Sequence, residues 1–208
     1  MLVTAVYNMP QVKATLMLSY TIVADGSMTV VEEMMVDKSE KIPCMFRYGM
    51  LMQLSYDIDC SEFYGRGPVE NYVDRKMSQN IGIYTQTADE QFYPYIRPQE
   101  TGLKSDLTFF RVLDQGGRGL EVRSDRYFMA SALNRSMESL DGYPKKTQQH
   151  SELIPVAPFT QLLVDSEHMG LGCYDSWGAL PQKKYLLPYK EYSLRLLFYP
   201  IIPLRPAL

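Results

Sequence analysis

The chain has 208 residues, of which 46% are hydrophobic and 22% charged, and its net charge is −3. These proportions are those of an ordinary globular protein, and the length suffices for one domain with a full core. Lysine and arginine are spread along the chain without a long basic run, so neither a nucleic acid nor an anionic membrane is expected as a partner. No apolar run approaches the roughly 20 residues that span a bilayer.

The three cysteines, Cys44, Cys60 and Cys173, are far apart in the sequence. Their spacing fits no zinc motif, and only two histidines are present to complete one. We therefore predict three free thiols in a protein that does not depend on disulfides, which favours the cytoplasm and leaves the periplasm open. Residues 1–7 lack the basic start and the cleavage site of a signal peptide.

The first predicted element is a β-hairpin. In residues 12–23 the even positions are all apolar and the odd ones mostly polar, a period of two that places one face of a strand on a core. Asp25-Gly26 follows, and glycine supplies the positive φ of a tight turn. Residues 28–36 form the predicted return strand.

Further short strands are predicted along the rest of the chain, at 45–54, 107–113, 120–123, 127–133, 160–164, 169–173 and within 184–199. The glycine-rich stretch 114–119 is followed by a strand, which favours a hairpin turn over a phosphate-binding loop. Helix is expected only as a turn or two near 70–79 and near 135–140. Many short strands between turns indicate a single all-β domain over 1–208, a sandwich or a barrel.

Three unusual segments stand apart from these strands. The first, 63–76, combines glycines and a proline with charges of both signs, at Arg66, Glu70, Asp74 and Arg75, and predicts an irregular loop whose polar groups satisfy one another. In the second, 93–102, two prolines restrict their predecessors to extended geometry, which predicts a stiff strand or strand edge. The third, 168–178, ends a strand and enters a loop that holds the only tryptophan, Trp177.

In this order and spacing, the three segments resemble the C-terminal small-chain domain of glycoside hydrolase family 2 β-galactosidases. The family patterns G-x-GP-x-ENY-x-DR, PY-x-x-P-x-E-x-G and HMG-x-G-x-x-DSW are similar to residues 65–75, 94–102 and 168–177. The resemblance runs from about 17 to about 199. The family domain is longer at its N-terminus, so the chain resembles an N-terminally truncated part of it.

The resemblance implies an antiparallel super-sandwich like that of galactose mutarotase. It also implies that Trp177 binds substrate, because the matching family tryptophan forms part of a sugar-binding surface on a separate catalytic barrel. Without the family, an isolated tryptophan is equally compatible with a core anchor. The turn-forming neighbours Asp175, Ser176 and Gly178 favour an exposed loop tip instead, where an indole face can stack on a pyranose.

The resemblance further implies that the parent protein is a retaining β-galactosidase with a (β/α)₈ catalytic barrel, which assembles into a homo-oligomer. Its catalytic carboxylates, Mg²⁺ and Na⁺ lie outside the matching region, so no catalytic residue, metal site or cofactor is assigned here, and the isolated chain is expected to be inactive. Besides Trp177, the candidates for the site or for a domain interface are Tyr95, Arg97, Glu100, Asp175 and Ser176.

Two alternatives from other classes remain open. The first is a free-standing sugar mutarotase or epimerase, which needs an acid and a base across a sugar pocket; His150 and His168 are the candidate histidines. The second is a stand-alone carbohydrate-binding module that works by aromatic stacking alone. Incubation with galactose separates them, because only the first interconverts anomers.

Overall fold

The structure, a computed structural model, describes residues 1–39, 42–142, 149–172, 174–175 and 178–203. It contains twelve strands: β1 (Leu2–Met9), β2 (Ala14–Ile22), β3 (Met28–Val36), β4 (Arg47–Ser55), β5 (Cys60–Gly67), β6 (Asn80–Thr87), β7 (Lys104–Leu107), β8 (Phe109–Leu113), β9 (Gly119–Ser124), β10 (Phe128–Leu133), β11 (Phe159–His168) and β12 (Tyr192–Ile201). The helices are α1 (Ala88–Gln91), α2 (Met137–Asp141) and two single 3₁₀ turns, Ser151–Leu153 and Lys183–Tyr185.

The strands form two antiparallel sheets. The large sheet has the order β1-β2-β3-β12-β9-β8-β5-β6, and the small sheet has the order β4-β11-β10-β7. Side chains from both sheets form one main hydrophobic core, for example Val30 and Phe110 from the large sheet and Ala130 and Leu162 from the small one. The antiparallel sandwich expected from the sequence is therefore confirmed.

The predicted hairpin is confirmed as β2 and β3, paired from Ala14 opposite Val36 to Ile22 opposite Met28. Gly26 in the turn has φ 83°, a conformation that glycine adopts without steric cost. The glycine-rich stretch is likewise a turn between β8 and β9, closed by a hydrogen bond from Asp114 N to Arg118 O.

The two middle strands of the small sheet, β11 and β10, are buried on both faces. Ala130 and Ala132 of β10 point into the core between the sheets, whereas Ser131 and Leu133 point to the opposite face. All six residues of β10 are nevertheless buried. Irregular segments therefore cover the outer face of the small sheet and add a third layer to the sandwich.

Several sequence predictions were wrong, and each failed on an irregular segment. Residues 70–79 contain turns and an isolated bridge from Tyr72 to Arg75 rather than a helix. Residues 93–102 join no sheet, and residues 169–172 form no strand, since β11 ends at His168. The helix predicted near 135–140 is confirmed as α2, whereas β1, β5, β6 and β7 were not foreseen.

The large sheet ends at β1, which pairs only with β2. Most of β1 is exposed, including the apolar side chains of Leu2, Val3, Val6 and Tyr7. Of the cysteines, Cys44 and Cys60 are free and partly buried, as predicted, and Cys173 lies outside the described residues.

Candidate functional site

The three unusual segments meet on the outer face of the small sheet. A second hydrophobic cluster joins Tyr72 of the first segment, Leu103 just after the second, and Met129 of β10, with Leu171 of the third packed against them. The ring centroids of Tyr72 and His168 lie 5.5 Å apart. The segments that are distant in sequence thus form one structural unit.

Hydrogen bonds fix this unit. The Asp74 carboxylate accepts a hydrogen bond from Gly172 N at 2.9 Å, which ties the first segment to the third. Glu70 Oε2 accepts from Gly102 N at 2.7 Å, which ties the first segment to the second. The Asn71 amide donates to Arg66 O at 3.0 Å and accepts from Ser105 N at 3.1 Å. The sequence predicted that the polar groups of the first segment satisfy one another, and the structure corrects this: Glu70 and Arg75 do pair within it, but most partners lie in other segments, and Asp74 Oδ1 has none among the described residues.

An arginine at the start of β4 binds one buried and one partly buried carboxylate. Arg47 donates from Nη2 to Asp165 Oδ2 at 2.6 Å and from Nη1 to Glu100 Oε2 at 3.1 Å. Glu100 Oε2 also lies 3.9 Å from His168 Nε2, while His168 Nδ1 hydrogen-bonds Met169 O. We call these four residues, Arg47, Glu100, Asp165 and His168, the Arg47 cluster.

Burial and charge act against each other in the Arg47 cluster. Burial raises the pKa of Asp165 above its usual value, even though Arg47 favours the carboxylate. Burial raises the pKa of Glu100, but the nearby His168 and the ion pair with Arg47 outweigh it and leave that pKa lowered. For Arg47, burial lowers the pKa, and the charges of Asp165 and Glu100 more than compensate. The positive charge of Arg47 and the negative charges of Asp165 and Glu100 therefore stabilise one another against the cost of burial.

A second polar cluster surrounds Glu70. Arg75 and the Tyr95 hydroxyl both bind Glu70 Oε1, and the Tyr72 hydroxyl donates to Oε2 at 3.2 Å. The guanidinium of Arg75 lies over the ring of Tyr72, 4.9 Å from its centroid. Burial and the hydrogen bond to Glu70 raise the pKa of Tyr95, so this tyrosine stays protonated as a donor.

Lys104 is a fully buried lysine next to this second cluster. Its ammonium donates to Gly102 O at 3.0 Å and lies 5.9 Å from the centroid of the Phe63 ring. Burial lowers its pKa to about 8, an effect that the charge of Glu70 opposes. Lys104 lines a cavity of about 140 Å³ together with Gln86, Phe92 and Tyr93, and Gln86 Oε1 has no hydrogen-bond partner among the described residues.

The predicted site residues fall into two groups. Tyr95 belongs to the Glu70 cluster and Glu100 to the Arg47 cluster, so both have structural partners, whereas Arg97 is exposed. Asp175 is exposed, and its Oδ1 accepts from Ala179 N at 3.3 Å. Trp177 and Ser176 lie outside the described residues.

Sequence reasoning missed Arg47, Asp165 and Lys104. Arg47 and Asp165 are 118 positions apart, so no local pattern links them. Lys104 is the first residue of β7, and a lysine at a strand end is expected from the sequence to be exposed. The sequence did contain one local pattern that predicts the start of α1, the capping box of Thr87 and Glu90.

The acidic side chains of the Arg47 cluster do not have the arrangement of a glycosidase carboxyl pair. The two carboxylates of the Arg47 cluster share one guanidinium, and the Asp165 side chain is only 1% exposed, which leaves no room for a sugar between them. Among the described residues no group of three His, Cys, Asp or Glu side chains could hold a metal ion. His150 is exposed beside the Ser151–Leu153 turn, and His168 is buried in the Arg47 cluster.

The fold and this covered outer face define an all-β sandwich with a buried polar layer. Comparison with known proteins identifies it. The family model of the β-galactosidase small chain matches residues 1–198, and the chain belongs to that family. Within the described residues, no helix has the length and apolar character needed to cross a membrane.

Curated relatives agree with this assignment. The chain is 32% identical over 174 residues to a β-galactosidase of Priestia megaterium, covering 84% of this chain and 16% of that protein. It is 34% identical over 179 residues to a β-galactosidase of Vibrio cholerae serotype O1, covering 85% and 16%. A β-galactosidase of Lactobacillus delbrueckii subsp. bulgaricus matches 97% of this chain at 27% identity. The chain spans less than a fifth of the length of these relatives, 16% to 19%.

Proposed function

We propose that this domain completes the sugar-binding site of a separate catalytic barrel in a retaining β-galactosidase, and that Trp177 supplies the sugar-facing wall. The family assignment and the small share of each relative that the chain covers support this proposal. The substrate is a terminal β-galactoside. The nucleophile, the acid/base carboxyl group, the Mg²⁺ and Na⁺ sites and the contacts of a homo-oligomer belong to the rest of the parent.

The single observation that carries the proposal is the anchoring of the segment that leads to Trp177. Met169 N donates to Phe46 O at 2.8 Å, Gly170 N donates to Tyr185 O at 2.9 Å, and Gly172 N donates to Asp74. Gly170 is also held too tightly for a side chain, since an added Cβ would lie 2.6 Å from Asp74 Oδ2. A side chain that binds a ligand needs a fixed backbone beside it, because ordering a mobile segment on binding costs conformational entropy and lowers the affinity.

The surface formed by segment 93–102 is suited to a contact with another domain. Segment 93–102 exposes the apolar side chains of Tyr93 and Ile96 together with the charge of Arg97. The rings of Tyr93 and Tyr95 lie 4.7 Å apart, and Tyr95 is fixed by Glu70. Aromatic and arginine side chains on a rigid base are typical of interface centres. We assign this segment to the contact with the catalytic barrel.

The isolated chain is not expected to hydrolyse a glycoside. Retaining hydrolysis needs two carboxyl groups roughly 5 Å apart on either side of the sugar. The two carboxylates of the Arg47 cluster are instead ion-paired with Arg47 and only 18% and 1% exposed. The test compares the isolated chain with the parent polypeptide on a chromogenic β-galactoside. Turnover by the isolated chain that persists through repurification, and is lost on mutating one of its carboxylates, would overturn the proposal.

One observation favours a second candidate, a carbohydrate-binding module. The 140 Å³ cavity beside Lys104 combines the aromatic walls Phe92 and Tyr93 with an ammonium donor and the unpartnered Gln86 Oε1, a mixture that suits a hydroxylated ligand. Calorimetric titration of the isolated chain with galactose tests it. Binding that Gln86→Leu abolishes supports the module, and the absence of heat supports the domain role alone.

A further inference from the structure

Three buried polar atoms that have no hydrogen-bond partner among the described residues belong to side chains that line one small cavity on the outer face of the small sheet. They are Ser131 Oγ on β10, Gln161 Nε2 on β11, and Arg135 Nε just after β10. Gln161 pairs with Leu133 and Ser131 with Leu163, so both polar side chains leave the sheet on the same side. Buried polar groups are rarely left unpaired, and three around one space indicate a shared ligand.

The other bonds of these residues direct the free atoms into the cavity. Gln161 Oε1 accepts from Met137 N at 2.7 Å, which orients its amide nitrogen away from α2. Arg135 Nη1 donates to Asp89 Oδ1 at 2.8 Å, and its guanidinium lies 4.3 Å from the centroid of the Phe92 ring, which leaves Nε for the interior. Glu100 also lines the cavity, next to the apolar side chains of Leu133, Leu140 and Leu163.

The size of the cavity and the types of atom around it select the ligand. The cavity measures about 10 Å³, and one water molecule needs roughly 10–15 Å³. Arg135 Nε and Gln161 Nε2 can only donate, so a metal cation or an ammonium ion is excluded at their positions. The Glu100 carboxylate in the wall disfavours an anion. Water accepts from the two donors and donates to Ser131 and Glu100.

We infer that a single structural water molecule occupies this cavity and bridges Ser131, Gln161, Arg135 and Glu100. Its four partners match the two donor and two acceptor positions of water. Glu100 Oε2 binds Arg47, so the water extends the Arg47 cluster to β10 and β11. The second family segment is thereby attached to the small sheet through solvent as well as through side chains.

A matched pair of substitutions tests the water site in the isolated chain. Ser131→Ala removes one hydrogen bond and leaves the space, so the water stays. Ser131→Val fills the space with methyl groups and removes the acceptor, so the water is expelled. Magnetic relaxation dispersion of water ²H and ¹⁷O, which counts long-lived internal water molecules, should show one fewer for Ser131→Val and no loss for Ser131→Ala.

A crystal structure of the unsubstituted chain gives an independent check if Ser131→Val does not fold. Electron density for one water within hydrogen-bond distance of Gln161 Nε2 and Arg135 Nε supports the inference. A dry cavity, side chains rotated to bond one another directly, or equal dispersion amplitudes in the wild type and Ser131→Val would overturn it.

Discussion

Arg47 binds Asp165 through two donors on one oxygen: Nε lies 3.0 Å and Nη2 lies 2.6 Å from Oδ2. The two residues come from neighbouring strands, β4 and β11, and Gly49 stands directly opposite Asp165 in the ladder. A Cβ on Gly49 would lie 2.5 Å from Asp165 Oδ1, so glycine is needed there to make room for the carboxylate. The ion pair therefore links the neighbouring strands β4 and β11 of the small sheet.

Removal of Arg47 should strongly destabilise the domain. Arg47→Met leaves Asp165 buried without its cation, and breaking a buried pair in this way costs about 3–5 kcal/mol. The free energy of unfolding, measured by urea denaturation, should fall by that amount. The double variant Arg47→Met/Asp165→Asn should recover part of it, because no charge is then left unpaired.

The exposed pair of Arg118 and Asp114 provides the control. The Arg118 side chain is 71% exposed, and a surface pair of this kind contributes less than about 1 kcal/mol. Equal losses for Arg47→Met and Arg118→Met would contradict the role given to the Arg47 cluster.

Glu32 should make the stability depend on pH. It stands on β3 opposite Leu18 and Leu194, on the core side of the large sheet, and burial followed by the charge of Asp165 raises its pKa from 4.5 to about 7. Below pH 4.5 the group is protonated in both the folded and the unfolded state. As the pH rises from 4.5 to 7, only the unfolded state loses the proton, so the folded state loses stability.

The substitution Glu32→Gln removes this effect. The variant should be more stable than the wild type at pH 8, by on the order of 2–3 kcal/mol, with a smaller difference at pH 5. Glu33→Gln is the control, because Glu33 is the next residue on β3 and is exposed on the opposite face. A Glu32→Gln difference that is constant across this pH range would show that burial does not shift the titration of Glu32.

Local patterns predicted much of the regular part of the fold, although they missed β1, β5, β6 and β7, and they did not predict the site. The β2–β3 hairpin follows from alternation and from Asp25-Gly26, which act between neighbours in sequence. The layer over the small sheet depends on contacts such as Asp74 with Gly172, which are 98 positions apart. The side chains of Glu70, Asn71 and Asp74 accept hydrogen bonds from the backbone of distant segments, which no local propensity indicates. Only the family motifs pointed to this layer.

The exposed edge strand should promote self-association of the isolated chain. β1 presents unpaired backbone groups and the exposed side chains of Leu2, Val3 and Val6, and such edges pair with other strands. Light scattering coupled to size exclusion should show a mass that rises with concentration. Val6→Lys should reduce the association, since a charge on an edge strand opposes pairing.

Met77→Lys is the matched control, because Met77 is 85% exposed and lies outside both sheets. It adds the same charge without changing β1. A clean monomer at high concentration, or an equal effect of the two lysines, would rule out β1 as the associating edge.

The most direct test of the account is the galactoside affinity of the parent polypeptide with and without the Trp177 indole. We predict that Trp177→Ala lowers kcat/KM by about 10- to 100-fold, which corresponds to ~1–3 kcal/mol of lost stacking, while Trp177→Phe retains part of it. Tyr127→Ala, which removes an exposed aromatic ring before β10, should leave kcat/KM unchanged. If Trp177→Ala keeps full kcat/KM, Trp177 is not the sugar-facing wall and the central claim is wrong. The same conclusion follows if Trp177→Ala unfolds the domain and the emission of the isolated chain, in which Trp177 is the only tryptophan, is blue-shifted and protected from acrylamide.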